Sequence, residues 1–413
     1  MYRRDIYLEQ LIKLKGTDPV KVITGVRRCG KSTLLDLFEE RLLKNRTPKK
    51  SIIRVNFELS EFDSIRDYRD LAAYIKSQLA QRGLAQGVKA TVMLDEVQFV
   101  SGWERAVNAL RAGRQIDLYI TGSNASMLSS ELATLLSGRY IEIKMTPLSF
   151  KEYLEFRGYR KIRGPADDYF TDYMAYGGFP GLHEMNEDEN LIRSFLSGIY
   201  NTILMKDVAA RNTLRDTDLL EKVVRFTAGN IGNMISSKKI SDYLTSTGRK
   251  TSHTTIDAYL ESLEKAFFLY RSPRYDIKGK ELLKTQAKYY IVDMGLRYWS
   301  LGKKNIDQGS ILENIVYLEL NRRGSQVFTG KLPKPKNAGE DWEVDFVALK
   351  DGVPHYYQVT QSLQGKKVLE RELRPLEAIG DNYEKTILSL DKTPFTDYNG
   401  IQQRNIIEWL LAP

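Results

Sequence analysis

A strand, a glycine loop and a helix stand in immediate succession near the start of the chain. An apolar run is followed by the pattern Gly25-x-x-x-x-Gly30-Lys31-Ser32, and residues 33–38 form a helical stretch. This order is the setting of a phosphate-binding P-loop. Its glycines let successive backbone N–H groups turn inward toward a triphosphate. We therefore predict that Lys31 reaches the β- and γ-phosphates of bound ATP and that the Ser32 hydroxyl holds Mg²⁺.

The composition is that of a soluble globular protein with more than one domain. The chain has 413 residues, of which 42% are hydrophobic and 28% charged. At roughly 100–200 residues per domain, we expect two or three domains. No window approaches about 18 uninterrupted apolar residues, so the sequence predicts no transmembrane helix and no membrane partner. The first residues are charged and lack the apolar core of a signal peptide.

Cysteine and charge content limit the cellular compartments and the binding partners that we expect for the chain. The chain has one cysteine, Cys29, and three histidines. A single cysteine cannot form an internal disulfide and suits a reducing cytosol, so we expect a cytoplasmic protein without a structural zinc site. The formal net charge of +9 favours a polyanionic partner, with nucleic acid the leading candidate. Basic side chains that are merely solvated would explain the same charge.

Four further strands are predicted after the P-loop, separated by helical patterns. Their ranges are Ser51–Phe57, Ala90–Leu94, Asp117–Thr121 and Tyr140–Lys144. Alternating strands and helices predict an α/β fold with a parallel sheet covered on both faces. Asp95 and Glu96 directly follow one of these strands, at the edge where open α/β sheets bind ligands. We predict that Asp95 positions Mg²⁺ through its water shell and that Glu96 polarises the attacking water.

Three further polar residues have two interpretations each. Ser123 and Asn124 follow a strand and could contact the γ-phosphate, or they could cap a helix over residues 126–136. Arg139 precedes a strand and could neutralise transition-state charge, in cis or across a subunit interface, or form a surface ion pair. The predicted nucleotide contacts are Gly25, Cys29, Gly30, Lys31, Ser32, Thr33, Ser123 and Asn124, and the predicted catalytic residues are Lys31, Glu96 and Arg139.

The P-loop, residues 55–58 and residues 94–98 together resemble the AAA-type ATPases of bacteria and archaea. Within these, residues 121–124, 137–139 and 147–150 resemble the subgroup that carries a C-terminal domain of unknown function. The resemblance covers essentially the whole chain. It implies an additional-strand P-loop fold with the site residues in the roles given above, and with Arg139 as an arginine finger.

The middle of the chain is predicted to be helical and basic. Residues 157–165 have the glycine, proline and charge of an exposed connection. Residues 177–181 form a glycine-rich turn that either links two helices or contacts the nucleotide or a neighbouring domain.

Three helices, at 219–228, 235–244 and from 254 onward, precede strands at 268–276 and 287–292, which together predict a winged helix. The basic residues that could face a phosphate backbone are Arg249, Lys250, His253, Arg271, Arg274, Lys278 and Lys280. Winged helices bind DNA or dock proteins, and both uses stay open.

A helix bearing Glu313 precedes three predicted strands, two of which carry Asp345 and Gln358. This succession resembles the PD-(D/E)xK nuclease superfamily. The resemblance implies that these side chains derive from a Mg²⁺ site and that a lysine two residues beyond Gln358 would activate water. Thr360 stands at that position, so we predict a vestigial nuclease site in a domain used for binding or regulation. Lys366 or Lys367 is a candidate replacement for the missing lysine.

These features predict four segments. Residues 1–150 form an AAA-type P-loop ATPase domain, 151–215 a helical linker or lid, 216–300 a winged helix and 301–413 an α/β nuclease-like domain. We predict a Mg²⁺-dependent ATPase that acts as a nucleotide-driven switch or motor on DNA. The alternatives are an ATP-regulated, metal-dependent nuclease and an ATP-holding scaffold that recruits a protein. The oligomeric state stays open. If Arg139 acts in trans, catalysis would require a homo-oligomer.

Overall fold

The chain forms two compact units. Unit 1 comprises residues 1–147 with 265–267, and unit 2 comprises residues 148–264 and 268–413. The computed structural model describes residues 4–84, 88–113, 115–128, 136, 138–158, 165–185, 188–210, 214, 216–302, 307–333, 341–392 and 396–412. Within these ranges, no helix has the length and apolar character needed to cross a membrane.

Unit 1 is built on a parallel sheet whose described strands have the order β2-β3-β4-β1-β5. The strands are β1 (Val20–Thr24), β2 (Ile52–Asn56), β3 (Ala90–Asp95), β4 (Ile116–Gly122) and β5 (Tyr140–Lys144). Strands β1, β3 and β4 are buried along their whole length, because helices cover both faces of such a sheet. Since β4 lies between β1 and β3, the predicted α/β fold with an additional strand is confirmed for this unit.

Helices flank the sheet of unit 1 and begin at recognisable signals. They are α1 (Asp5–Lys13), α2 (Lys31–Lys44), α3 (Tyr68–Arg82) and α4 (Trp103–Ala112). Helix α2 begins directly after Gly30, and α3 begins at a capping box formed by Asp67 and Asp70. Apolar side chains of the strands, α3 and α4 form the core. Most of the helix predicted at 126–136 lies outside the described residues, which show a short 3-10 turn at Ala125–Leu128.

Unit 2 contains helices along its whole length, and its first part is mainly helical. Its described helices are α5 (Phe150–Phe156), α6 (Ala166–Tyr176), α7 (Glu189–Thr202), α8 (Thr217–Gly229), α9 (Ser237–Ser246), α10 (His253–Lys265), α11 (Met294–Leu301), α12 (Gln308–Arg322), α13 (Lys366–Glu377) and α14 (Ile406–Leu411). A π-helix, Ile203–Ala210, continues α7. The predicted basic connection at 157–165 lies mostly outside the described residues.

The glycine-rich turn after α6 is fixed by packing inside unit 2. The Gly178 backbone N–H donates to Asp293 at 2.7 Å, and its carbonyl accepts from the backbone N–H of Leu148 at 2.8 Å. A Cβ at Gly178 would lie 2.4 Å from the Leu148 carbonyl oxygen. These contacts explain why the turn between the two helices requires glycine at position 178.

A mixed sheet runs through the rest of unit 2. Its described strands are β6 (Met234–Ile235), β7 (Leu269–Asp276), β8 (Glu281–Ile291), β9 (Gln326–Leu332), β10 (Trp342–Lys350), β11 (Val353–Val359), β12 (Lys385–Ser389), β13 (Thr396–Tyr398) and β14 (Ile401–Asn405). They are ordered β13-β14-β12-β11-β10-β9-β7-β8-β6. The predicted hairpin, β7 and β8, is present, and β7 also pairs in parallel with β9. One sheet therefore holds strands from both sides of residue 300, while the predicted inner boundaries at 215 and 300 stay predictions.

Candidate functional site

Two glycines give the P-loop its shape. Gly25 has φ +151°, and a Cβ there would lie 2.1 Å from the Met145 carbonyl oxygen. Gly30 has φ 103° and immediately precedes α2. Left-handed backbone of this kind strains any residue with a Cβ. The loop consequently closes at the N-terminus of α2, whose positive dipole end favours bound phosphate.

Lys31 is buried and forms an ion pair with Glu96. Its Nζ donates to the carbonyl oxygens of Gly25 at 3.1 Å and Val26 at 3.3 Å, and lies 3.3 Å from Glu96 Oε1. Burial acts to lower the pKa of Lys31, but the surrounding acidic groups, with Glu96 first among them, together outweigh it and the pKa is raised. Burial likewise acts to raise the pKa of Glu96, but Lys31, the Gln98 hydrogen bond and Arg27 together outweigh it and the pKa is lowered. Both side chains are therefore charged at neutral pH.

Thr121 joins the two carboxylate residues at the end of β3. Its Oγ1 donates to Asp95 Oδ1 at 2.5 Å and accepts from the Glu96 backbone N–H at 2.8 Å. Glu96 has a left-handed φ of 53°, which is uncommon outside glycine, and Gln98 donates to its Oε2. The Thr121 bond thus holds the turn that directs Glu96 toward Lys31. Thr121 lies at the end of β4. From this end of β4 the sequence prediction selected Ser123 and Asn124, which follow the strand, and missed Thr121.

Arg54 is a second residue that the sequence did not reveal. It lies on β2, and its Nη2 donates to the Ser32 carbonyl oxygen at 3.0 Å. The same nitrogen lies 3.6 Å from Asp95 Oδ2, while Nη1 pairs with Asp36. Arg54 therefore links the start of α2 to the end of β3. No motif marks it, because the contact depends on pairing between β2 and β3.

The residues present fit a Mg²⁺ ion in chemical type. Asp95 Oδ2 is fully buried and accepts no hydrogen bond from any described residue, which leaves a carboxylate oxygen for a cation or its water shell. Ser32 is half-buried at the start of α2, and Thr33 beside it is exposed. A carboxylate and a hydroxyl are the oxygen ligands that Mg²⁺ takes beside nucleotide phosphates.

The other predicted nucleotide contacts differ in their surroundings. Ser123 and Asn124 are both buried at the carboxyl end of β4, and Ser123 Oγ has no hydrogen-bond partner among the described residues. The Cys29 thiol is buried with Sγ 3.6 Å from the Met145 carbonyl oxygen, and burial raises its pKa. Cys29 thus packs as a neutral thiol, and any phosphate contact at this position would involve its backbone.

Arg139 lies at the amino ends of the parallel strands, opposite the carboxyl ends at which the P-loop lies. It is exposed and immediately precedes β5, and its carbonyl accepts from the Val20 backbone N–H at 3.0 Å. Val20 begins β1 and the P-loop follows the end of β1, so about 16 Å of strand separates Arg139 from the loop. This placement gives no support to a finger in cis. Action in trans stays a prediction.

The basic residues predicted for the winged helix divide into two groups. Lys250, His253, Arg271, Lys278 and Lys280 are exposed. Arg249 instead forms an ion pair with Asp216, and Arg274 is only half-exposed. The exposed group leaves five side chains of unit 2 accessible to an anionic partner.

The three residues of the predicted nuclease-like site are close together, but other contacts use their polar atoms. Gln358 Oε1 accepts from the Asp345 backbone N–H at 2.7 Å, and its Nε2 donates to Glu372 at 3.0 Å. Glu313 and Asp345 both contact Lys288. Thr360 donates to the Ser362 carbonyl oxygen at 3.4 Å.

The candidate replacement lysines are exposed at the start of α13. The lysine that contacts the acidic residues is therefore Lys288 on β8, which the sequence prediction did not consider. Of the described residues, no three histidine, cysteine or acidic side chains are arranged to hold a metal ion.

Comparison with known proteins places the chain in a family. Residues 17–154 match the model of an AAA domain, and residues 167–307 match a domain of unknown function, DUF8612. An uncharacterized protein of Haemophilus influenzae is 42% identical over 100% of this chain and 99% of its own length. The chain belongs to this family of AAA-domain proteins. An uncharacterized protein of Methanocaldococcus jannaschii, MJ1544, is 30% identical over 94% of this chain and 86% of its own length.

A solved structure is similar in fold. The Walker-type ATPase PABY2304 of Pyrococcus abyssi is 19% identical, with a TM-score of 0.50, and the match covers 73% of this chain and 96% of that one. The AAA-type P-loop architecture predicted for the N-terminal part is thus confirmed.

Proposed function

We propose that this AAA-domain protein is a Mg²⁺-dependent ATPase that works as a nucleotide-driven switch on DNA. The observation that carries the proposal is the cluster of Lys31, Asp95, Glu96 and Thr121 at the carboxyl edge of the unit 1 sheet. It combines a cation for phosphate, a carboxylate for a metal and a carboxylate for water. These are the groups that phosphoryl transfer to water requires.

Each residue has a defined task in this proposal. Lys31 binds the β- and γ-phosphates, and the backbone N–H groups of the P-loop surround them. Ser32 and Asp95 would hold Mg²⁺, which would supply positive charge beside the phosphate oxygens. Glu96 orients the attacking water and accepts its proton. Thr121 keeps the Glu96 backbone and the Asp95 carboxylate in register, so that both groups act at one place.

The Lys31–Glu96 ion pair makes the two tasks interdependent. A triphosphate competes with Glu96 for the Lys31 ammonium, since both acceptors are anionic and Nζ already lies 3.3 Å from Oε1. Binding of ATP therefore releases Glu96 from its partner. The carboxylate becomes free to contact water only when the phosphates occupy Lys31. This order limits the reaction to a loaded site.

The DNA part of the proposal rests on charge and on the helical elements of unit 2. Helices α8, α9 and α10 with the β7–β8 hairpin have the succession of a winged helix, and its exposed basic residues suit a phosphate backbone. Contacts of this kind release counterions, so affinity should fall steeply with salt. The net charge of +9 agrees with an anionic partner.

The experiment that tests the proposal measures ATP turnover and DNA binding together. Fluorescence anisotropy with labelled duplex DNA should show affinity that falls with salt and differs between ATP and ADP. A Lys250→Gln, Lys278→Gln, Lys280→Gln variant should bind more weakly, with a salt slope smaller by about 0.9 for each lost phosphate contact. Lys366→Gln with Lys367→Gln is the control, because it removes two exposed lysines at the start of α13, outside the predicted winged helix. If the affinity for DNA changes neither with salt nor with the bound nucleotide, the DNA assignment is contradicted and the scaffold alternative is favoured.

The nuclease alternative receives no support from the site geometry. Gln358 uses both ends of its amide in hydrogen bonds, and Thr360 provides no cation. Mn²⁺-dependent plasmid cleavage that is lost in Asp345→Ala would reinstate it. A loss of cleavage in Glu96→Gln as well would show that ATP turnover drives the cutting.

A further inference from the structure

A buried lysine lies at the centre of three carboxylates in unit 2. Lys288 is 1% exposed, and its Nζ lies 2.7 Å from Glu313 Oε1, 2.7 Å from Glu343 Oε1 and 3.4 Å from Asp345 Oδ1. Tyr290 also donates to Glu313. The proposed function of unit 1 uses none of these residues. We call Lys288 with its three carboxylates the lysine-centred cluster.

The three carboxylates come from a helix and a strand that converge on one point. Glu313 lies on α12, while Glu343 and Asp345 alternate along β10 and project from the same face of the sheet. Lys288 lies on β8, which is separated from β10 in the sheet by β9 and β7. Convergence of oxygen ligands from a helix and a strand is how proteins surround a hard cation. Here the cation at the centre is an ammonium group.

Charge explains why this position cannot be neutral. Glu313 and Asp345 are largely buried beside Lys288, while Glu343 is exposed. Removing a partner from a buried ion pair leaves uncompensated charge. The neighbouring carboxylates outweigh burial and raise the pKa of Lys288, so the lysine stays protonated.

We propose that Lys288 takes the place of a divalent cation in unit 2. Its ammonium group is the built-in counter-ion of the three carboxylates, and the unaltered protein takes no Mg²⁺ or Mn²⁺ at this point. Replacing Lys288 with a neutral side chain of similar length turns the cluster into a divalent-cation site. The ligands are the oxygens of Glu313, Glu343 and Asp345. Carboxylate oxygens bind Mg²⁺ at about 2.0–2.1 Å, which is shorter than the contacts of 2.7 and 3.4 Å to Nζ, so the three carboxylates have to close in on the ion once the ammonium group is gone.

The test compares Mn²⁺ binding to the full chain with and without Lys288. Calorimetric titration without nucleotide should show one more Mn²⁺ ion bound by Lys288→Met than by the unaltered protein. Mn²⁺ should also raise the melting temperature of Lys288→Met specifically. Adding Asp345→Asn to Lys288→Met should weaken the new site at least tenfold. Lys331→Met is the matched control, since it removes a lysine of the same sheet from a simple pair with Asp341 at 3.0 Å.

A second variant covers the case in which Lys288→Met does not fold without metal. Lys288→Met combined with Glu343→Gln removes one negative charge with the positive one, and should fold and bind one Mn²⁺ more weakly. Folding of Lys288→Met that requires Mn²⁺ would itself support the proposal. Two outcomes would overturn it. One is that neither variant binds an additional ion. The other is that the unaltered protein binds Mn²⁺ in a way that Asp345→Asn abolishes, because Lys288 would then accompany a metal and not replace it.

Discussion

Replacing Glu96 with Gln should strengthen ATP binding while it slows hydrolysis. Gln has nearly the same shape as Glu but lacks the charge that pairs with Lys31 at 3.3 Å. In the unaltered protein, a triphosphate must displace this carboxylate from Lys31 and approach its negative charge. In Glu96→Gln the ammonium keeps the Gly25 and Val26 carbonyl oxygens as acceptors, and the side-chain oxygen at position 96 carries no charge. ATP binding then breaks no ion pair.

The size of the effect follows from the ion pair. Two unit charges 3.3 Å apart attract by about 5 kcal/mol at an effective dielectric constant of ~20. Much of this is offset by desolvation, and hydrogen bonds to charged groups contribute about 1.5–3 kcal/mol net. Since 1.4 kcal/mol corresponds to roughly tenfold, ATP should bind Glu96→Gln about 10- to 100-fold more tightly. Loss of the general base should lower kcat by about 10²–10⁴-fold.

The assay combines equilibrium binding of a fluorescent ATP analogue with steady-state phosphate release. Glu58→Gln is the matched control, because Glu58 pairs with the P-loop residue Arg27 at 3.1 Å but is half-exposed. We expect Glu58→Gln to change affinity and turnover less than threefold, since exposed pairs contribute about 0–1 kcal/mol. Equal ATP affinity in Glu96→Gln and the unaltered protein would refute the competition between Glu96 and phosphate. Unchanged hydrolysis would refute the role of Glu96 as base.

Thr121→Val should lower kcat about 10-fold or more with little change in ATP affinity, because it removes the two hydrogen bonds that position the carboxylates. Thr91→Val changes a buried threonine near the start of the neighbouring strand β3 and should leave kcat unchanged. Gly25→Ala should abolish ATP binding, since its Cβ would lie 2.1 Å from a carbonyl oxygen, whereas Gly16→Ala has open space at a similarly left-handed φ and should still bind ATP. Burial raises the pKa of Asp293 from 3.8 to about 7, so the folded protein binds more protons than the unfolded chain between these values. The free energy of unfolding should therefore fall as pH rises from about 4 to 7, and chemical denaturation of Asp293→Asn should show a smaller pH slope; an equal or steeper slope would contradict the assignment.

The strands of unit 1 were predictable because their signal is local. The prediction Tyr140–Lys144 matches β5, and Ala90–Leu94 is one residue shorter than β3. The continuous apolar run of β3 is typical of a strand buried on both faces, whereas apolar and polar residues alternate in β5, which is only partly buried. The P-loop and the Asp95-Glu96 pair were predictable for the same reason, since each motif occupies consecutive positions.

The remaining features depend on residues that are distant in sequence. Thr121 acts on Glu96 across two neighbouring strands, and Arg54 reaches Asp95 from β2. Lys288 meets Glu313 and Asp345 only because β7 pairs with β9 and brings the hairpin into the large sheet. Register and strand order decide such contacts, and no local pattern around Lys288 indicates them. The placement of Arg139 likewise required the register of β5 against β1.

ATP hydrolysis at the Lys31 site is the central claim, and phosphate release in the presence of Mg²⁺ tests it most directly. The measurement compares the unaltered protein with Lys31→Ala, each with and without duplex DNA. We expect continuous turnover by the unaltered protein, dependence on Mg²⁺ and no turnover by Lys31→Ala, which should also lose ATP binding. Absence of phosphate release from the unaltered protein under both conditions, or full activity in Lys31→Ala, would contradict the claim.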